Sequence, residues 1–179
     1  MTTHHHTKYI HIRDAGVDLA ISFEDCIKYH GRDSIGGLAL GFKLLQWGLK
    51  QISPSEPIER SSIIFRTAFP GPGVRDAVEL ITRAYTNHRY EILENAPVGS
   101  PEGVYGFLYF EIQVNDKCLG VHVKPGVVSS DFIETGRATK KAHVSEQTLY
   151  HWKELKENLA QAVMAVNIEE ILVIKKLNF

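Results

Sequence analysis

Between residues 34 and 50 the chain reads SIGGLALGFKLLQWGLK. Ile35, Leu38, Phe42, Leu45 and Leu49 recur at spacings of three and four, which is one face of an amphipathic helix. Leu40, Leu44 and Trp47 widen that face, so the predicted helix over 35–49 must be covered on more than one side. Ser34 stands where an N-cap is expected. Gly37, Gly41 and Gly48 lie near one side of the same helix. Each interior glycine costs about 1 kcal/mol relative to alanine. That is a large sacrifice in a domain whose whole stability is about 5–15 kcal/mol. Glycine is kept at such places when another backbone, a partner subunit or a ligand must come close.

The rest of the chain is read around this helix. KYIHI (8–12) and DLAISF (18–23) suggest short extended segments, and 23–28 the start of a helix. QISPSEPIERS (51–61) is a polar, proline-containing connection, followed by a predicted strand over 62–68. FPGPG (69–73) reads as a turn and 74–85 as a helix, with Asp76 in its first turn, where negative charge is favoured. Residues 104–114 and 117–124, joined at Asn115 and Asp116, predict a β-hairpin. Residues 131–144 read as a short helix and a basic loop. Leu149, Trp152, Leu155, Leu159, Val163 and Val166 stripe a helix over 145–166, and 169–177 closes as a strand. Helices and strands mix without regular βαβ alternation. The expected class is therefore α+β, an antiparallel or mixed sheet packed with several helices. We expect one domain over 1–179, with its core in about 18–126 and the helix and strand of 145–177 added.

Net charge is −1, with 44% hydrophobic and 23% charged residues, so bulk attraction to nucleic acid or membrane is not expected. No apolar run approaches the length of a transmembrane helix. The N-terminal stretch lacks the apolar core of a signal peptide, and a cytoplasmic location is expected. Two cysteines, Cys26 and Cys118, give no disulfide framework. The cluster His4–His6 is set aside from site reasoning.

Chemistry concentrates just ahead of the glycine-bearing helix, in YHGRDS (29–34). The imidazole of His30 suits a metal ligand or a proton carrier. Arg32, Asp33, Ser34 and the amides near Gly37 stand at the positive end of the helix, where anions bind. The alternative is structural: polar groups cap helices and bridge loops at such positions. Cys118 and His122 are four apart. In an extended strand that separates them by roughly 13 Å, too far for one metal ion unless the chain bends. His88 and Arg89 follow the 74–85 helix and suit its negative end, unless His88 folds back towards His30. The basic segment 136–143 reads as a solvated loop or a phosphate contact.

YHGRDSIGGLALGFKLL (29–45) resembles the opening block of the FmdE family, named after a component of formylmethanofuran dehydrogenase. GPGVRDAVELITRAYTNHRYEI and the later GVYGFLYFEIQV and GVHVKPG resemble that family's following blocks, so the likeness covers roughly residues 22–126. The resemblance implies an FmdE-like fold, a homodimer, and a cleft holding a divalent metal, often zinc, on motif His and Cys positions. Here the second motif His is Arg32, the motif Cys falls nearest Ser34, and a later Cys falls near Pro72 or Gly73. Serine is a far poorer ligand than thiolate.

Together these readings predict a polar cleft at the N-terminus of the 35–49 helix, with His30 projecting into it. Arg32, Asp33, Ser34 and Gly37 would stand nearby, and Asp76 and His88 would join from the second helix. The leading expectation is an accessory protein for a divalent metal or small anionic ligand, linked to formylmethanofuran dehydrogenase or related one-carbon metabolism. The alternatives are an enzyme using His30 as general base on an acidic substrate, or a non-catalytic dimeric interaction subunit.

Overall fold

The computed structural model of the chain describes residues 8–179, so His4–His6 lie outside the described residues. Among the described residues, two mixed sheets and five α-helices make an α+β fold. Strands β1 (Tyr9–Asp14) and β2 (Val17–Ser22) form an antiparallel hairpin, and β3 (Ile58–Glu59) adds parallel to β1. The larger sheet has the order β5-β4-β6-β7-β8, from β4 (Ile63–Thr67), β5 (Tyr90–Ile92), β6 (Tyr109–Val114), β7 (Lys117–Val123) and β8 (Leu172–Asn178). In this sheet β4 and β5 pair parallel while the other neighbours pair antiparallel, and α3 (Pro72–Thr82) makes the crossover from β4 to β5.

Helix α1 (Phe23–His30) opens on a capping box. The Ser22 hydroxyl accepts from the Asp25 N–H, and the Asp25 carboxylate accepts from the Ser22 N–H in return. The hydrogen bonds from Ser22, helped by Lys28, hold the Asp25 carboxyl at about 2. This firm start matters because α1 ends on His30. Gly31 follows with φ +84°, a conformation that favours glycine, and turns the chain back towards α2 (Ile35–Ile52).

Helix α2 is the axis of the fold. Most of its residues are buried, as its wide apolar face requires, and it packs against α1, α3 and α5 (Glu146–Ala165). Its glycines have identifiable neighbours within the chain. A Cβ at Gly41 would stand 2.9 Å from Ala77 Cβ and 3.1 Å from Val74 Cα, and one at Gly37 would stand 3.5 Å from Gly73 Cα. Across the same seam, a Cβ on Gly73 would run into the Ser34 carbonyl oxygen. Gly48 faces the sheet instead, where its missing Cβ would meet Ile112 Cδ1. The close approach read from the sequence is thus made by α3 and β6.

One hydrophobic cluster runs from Ile10 and Ile12 through the α2 face and the sheet to Val163, Ile168 and Leu172. It takes in elements on both sides of the 18–126 span expected for the core. Two local expectations are corrected. α3 starts at Pro72, because proline is well suited to the first helical position, so FPGPG is only partly a turn. The first hairpin strand starts at Tyr109, not 104, because the chain turns at Gly106, whose φ of +148° and lack of room for a Cβ beside the Ala68 carbonyl favour glycine. The short helix expected within 131–144 is α4 (Ser130–Ala138), capped by Ser129, whose hydroxyl accepts from the Phe132 N–H, and the basic segment after it is a loop.

Candidate functional site

The first turns of α2 and α3 meet at the Gly37–Gly73 seam. The first intrahelical bonds run from the Leu38 N–H to the Ser34 carbonyl and from the Arg75 N–H to the Gly71 carbonyl. The amides of Gly36, Gly37 and Gly73 come before them and have no helical partner. Two helix N-termini, each with a partial positive charge, therefore lie side by side.

In front of them opens a cleft with about 540 Å³ of atom-free space, its mouth included. Ser34, Gly36, Gly37, Gly71, Pro72 and Gly73 form its inner wall. Phe69, Leu40 and Leu108 line its depth, while Val104, Tyr105, Phe132, Trp152 and Leu159 close it from the other side. The aromatic groups pack on one another: Phe132 and Trp152 are 4.5 Å apart between ring centroids, and Phe69 and Tyr105 meet edge to face at 5.7 Å. Among the described residues, Lys156 is the one charged side chain on the lining. A cleft was expected at this helix end, but its walls are chiefly apolar rather than polar.

His30 is not part of that lining. Its side chain is 8% exposed and both ring nitrogens are engaged. Nδ1 lies 2.7 Å from Asp76 Oδ2, and Nε2 lies 3.3 Å from the Ser34 amide nitrogen. These partners assign the tautomer: the Nδ1–H donates to the Asp76 carboxylate, and Nε2 accepts from the Ser34 N–H. Arg75 Nε donates to the other Asp76 oxygen at 2.8 Å. Burial alone would raise the Asp76 carboxyl, but the bonds from Arg75 and then His30 outweigh it and hold it below the usual carboxylate range. The expected meeting of His30 with Asp76 is therefore found, but as a strut behind Ser34 that fixes the α1–α2 corner to α3. The ring is enclosed by that strut and does not project into the open hollow expected around it.

Of the remaining candidates, Ser34 and Gly37 are on the cleft wall. Asp33 is at its mouth, its Oδ1 2.8 Å from Lys156 Nζ. Burial raises the Tyr105 hydroxyl above its ordinary value, and the negative charge of Asp33 adds to that rise. Arg32 faces away to α5, paired with Glu157 at 2.7 Å. His88 is exposed in the turn that follows the C-terminal end of α3, whereas Asp76 is near that helix's start, so the structure does not bring His88 to His30. Cys118 and His122 are both buried in β7 with separate partners, Glu111 and the Val123 carbonyl. Lys156, Trp152, Tyr105 and Phe132 were not anticipated as site residues. Only the helix stripe at Trp152 hinted at packing.

These residues do not compose a zinc ligand set. Among the described residues, no group of three or more His, Cys, Asp and Glu side chains could hold a metal ion. At the His–Asp contact of the expected site, the Arg75 guanidinium already sits on the carboxylate and the Ser34 N–H on the free ring nitrogen. Among the described residues, no helix is long and apolar enough to cross a membrane. Compared with protein-family models and with curated protein sequences, the chain matches none.

Proposed function

We propose that this chain binds a small organic anion with a slender apolar body in the cleft between the α2–α3 corner and the α4–α5 pair. The observation that carries the reading is the cleft's composition. Apolar and aromatic walls lead to a floor of backbone amides at two helix N-termini, with one lysine at the mouth. Such a site takes apolar surface out of water at about 25 cal/mol per Å². At its mouth the lysine, with the two helix N-termini adding to it, offers positive potential to a carboxylate or similar head group. A pocket that is mostly apolar with a few placed polar groups is the usual form of a small-molecule site.

This keeps the small-ligand half of the FmdE-like accessory role, including its proposed link to one-carbon metabolism, and gives no part to zinc. A homodimer in the cytoplasm stays part of the proposal, but the α2 glycines lend it no support, since α3 and β6 fill the space they leave. A second reading is favoured by one observation: Asp76 orients His30, and Ser34, on the cleft wall, adjoins its Nε2. An enzyme acting on an acidic substrate would use that ring as general base after the Ser34 N–H contact is released.

The test uses a Trp47→Phe background, which leaves Trp152 as the reporter. Its fluorescence is titrated with straight-chain and aryl carboxylates of about four to nine carbons and with their amides. The expected result is a saturable change with at least one carboxylate, tighter than its amide. Absence of any saturable change up to about 10 mM overturns the reading.

A further inference from the structure

The mouth of the cleft holds an ion pair of unequal partners. The Lys156 side chain is 11% exposed, while that of Asp33 is 92% exposed. The ammonium lies 2.8 Å from Asp33 Oδ1 and 5.4 Å from the centroid of the Trp152 ring. A largely covered lysine side chain is better placed with a counter-charge beside its ammonium than without one. A solvated carboxylate on a surface turn gains little from the pair and is easily exchanged. Any other carboxylate that reaches the ammonium can take the place of Asp33 with small net change.

Position makes that exchange useful. Lys156 and Trp152 belong to two adjoining cavities: the inner apolar cleft, and an outer groove lined by Arg32, Asp33, Leu149, Lys153 and Glu157. Asp33 stands on the boundary between them. The other charged groups on the outer groove are Arg32 and Asp33 from the loop before α2, and Lys153 and Glu157 from the same helix as Lys156. Glu157 is held by Arg32 at 2.7 Å. Among the described residues, Asp33 is thus the one carboxylate paired with Lys156 and able to leave it.

We propose that Asp33 is a displaceable stand-in for the ligand's own head group, so that Lys156 selects a monoanionic carboxylate by exchange with Asp33. This rests on the small-anion reading of the cleft and sharpens it. The apolar body lies between Trp152, Phe132 and the glycine wall, the carboxylate ends at Lys156, and Asp33 swings into the outer groove. No bond is made or broken, and ligand charge replaces protein charge at the same ammonium.

The test uses the Trp152 fluorescence titration with 3-phenylpropanoate and 3-phenylpropanamide on the full chain. Asp33→Ala removes the competitor and is expected to tighten 3-phenylpropanoate about two- to fivefold, leaving the amide unchanged. Lys156→Met, which keeps the length of the side chain, is expected to weaken the carboxylate about tenfold, with the amide again unchanged. In the Lys156→Met background, Asp33→Ala should then have no effect, since the coupling between the two residues is what the exchange predicts. If the parent chain binds both probes and Asp33→Ala leaves the carboxylate unchanged or weaker, the exchange is overturned and the cleft reading stands. If no carboxylate of the four- to nine-carbon series, 3-phenylpropanoate included, gives a saturable change, the cleft reading itself fails. Both substitutions are at the surface end of the site, and unchanged circular dichroism separates a binding effect from unfolding.

Discussion

The two walls of the cleft are built on different principles. The inner wall, where α2 meets α3, is made of backbone: at Gly41 and Gly73 the helices approach so closely that side chains have no room. The outer wall, from α4, α5 and residues 103–105, is made of side chains. Phe132 and Trp152 pack at a tilt, Lys140 Nζ lies 4.0 Å over the Tyr105 ring, and Arg137 pairs with Glu102 on the surface. Packed backbone has few alternative arrangements, whereas exposed pairs and partly buried rings have several. The comparison teaches that, on the proposed reading, ligand fit is fixed from the α2–α3 side and adjusted from the α4–α5 side.

The largest test of that contrast is Gly73→Ala. Its Cβ would run into the Ser34 carbonyl oxygen and fall 2.6 Å from the Leu38 nitrogen, and neither can yield without separating two helices. A loss of about 3 kcal/mol or more is expected in urea unfolding. Gly48→Ala sharpens the point, because the clash of its Cβ is with the tip of a flexible side chain, Ile112. Rotation of that side chain can relieve it, and the gain in helix propensity of about 1 kcal/mol offsets most of what is left. The same assay should place it within about 1 kcal/mol of the parent chain.

Next in size is the strut behind the inner wall. His30→Ala leaves one Asp76 oxygen and the Ser34 N–H without partners, and a loss of about 1–3 kcal/mol is expected. The pH dependence has a definite sign. Asp76 is held below its ordinary value in the folded chain, so its contribution is present above about pH 4, where the unfolded carboxyl is ionised, and disappears as pH falls through the lower folded value. Stability measured from pH 6 downward should therefore decline more steeply in the parent chain than in Asp76→Asn. Equal slopes would remove the carboxylate from the account. Least of all is expected from Arg32→Ala on the outer side. Its guanidinium is 60% exposed in the pair with Glu157, and the change in stability should stay under about 0.5 kcal/mol.

What could be read in the sequence follows the same division. The helices α2 and α5 and the β6–β7 hairpin carry periodic apolar faces over many residues, and they are present close to where the pattern puts them. The two- and three-residue strands β3 and β5 are too short to show a period, and both are held by partners distant in sequence. Residues 104–108 look like strand because they are aromatic and apolar, yet Gly106 bends them into the cleft. At the site, Ser34 and Gly37 were legible because a helix start has local signals. The ion pair of Asp33 and Lys156 was not, since 123 positions separate its members and only the fold brings α5 across the tip of α2. His30 and Asp76 were rightly grouped, but sequence cannot tell a ring facing a cavity from one braced between a carboxylate and an amide.

The most direct test of the cleft lies in its glycine amides, which resonate in an open region of a proton–nitrogen correlation spectrum. The chain is titrated with 3-phenylpropanoate and the glycine signals are followed. Binding at the proposed floor shifts Gly36, Gly37 and Gly73 together, while Gly16, Gly99 and Gly126, in turns outside the cleft, stay in place. Saturable shifts confined to those outer turns, or spread evenly over all glycines, would contradict the account.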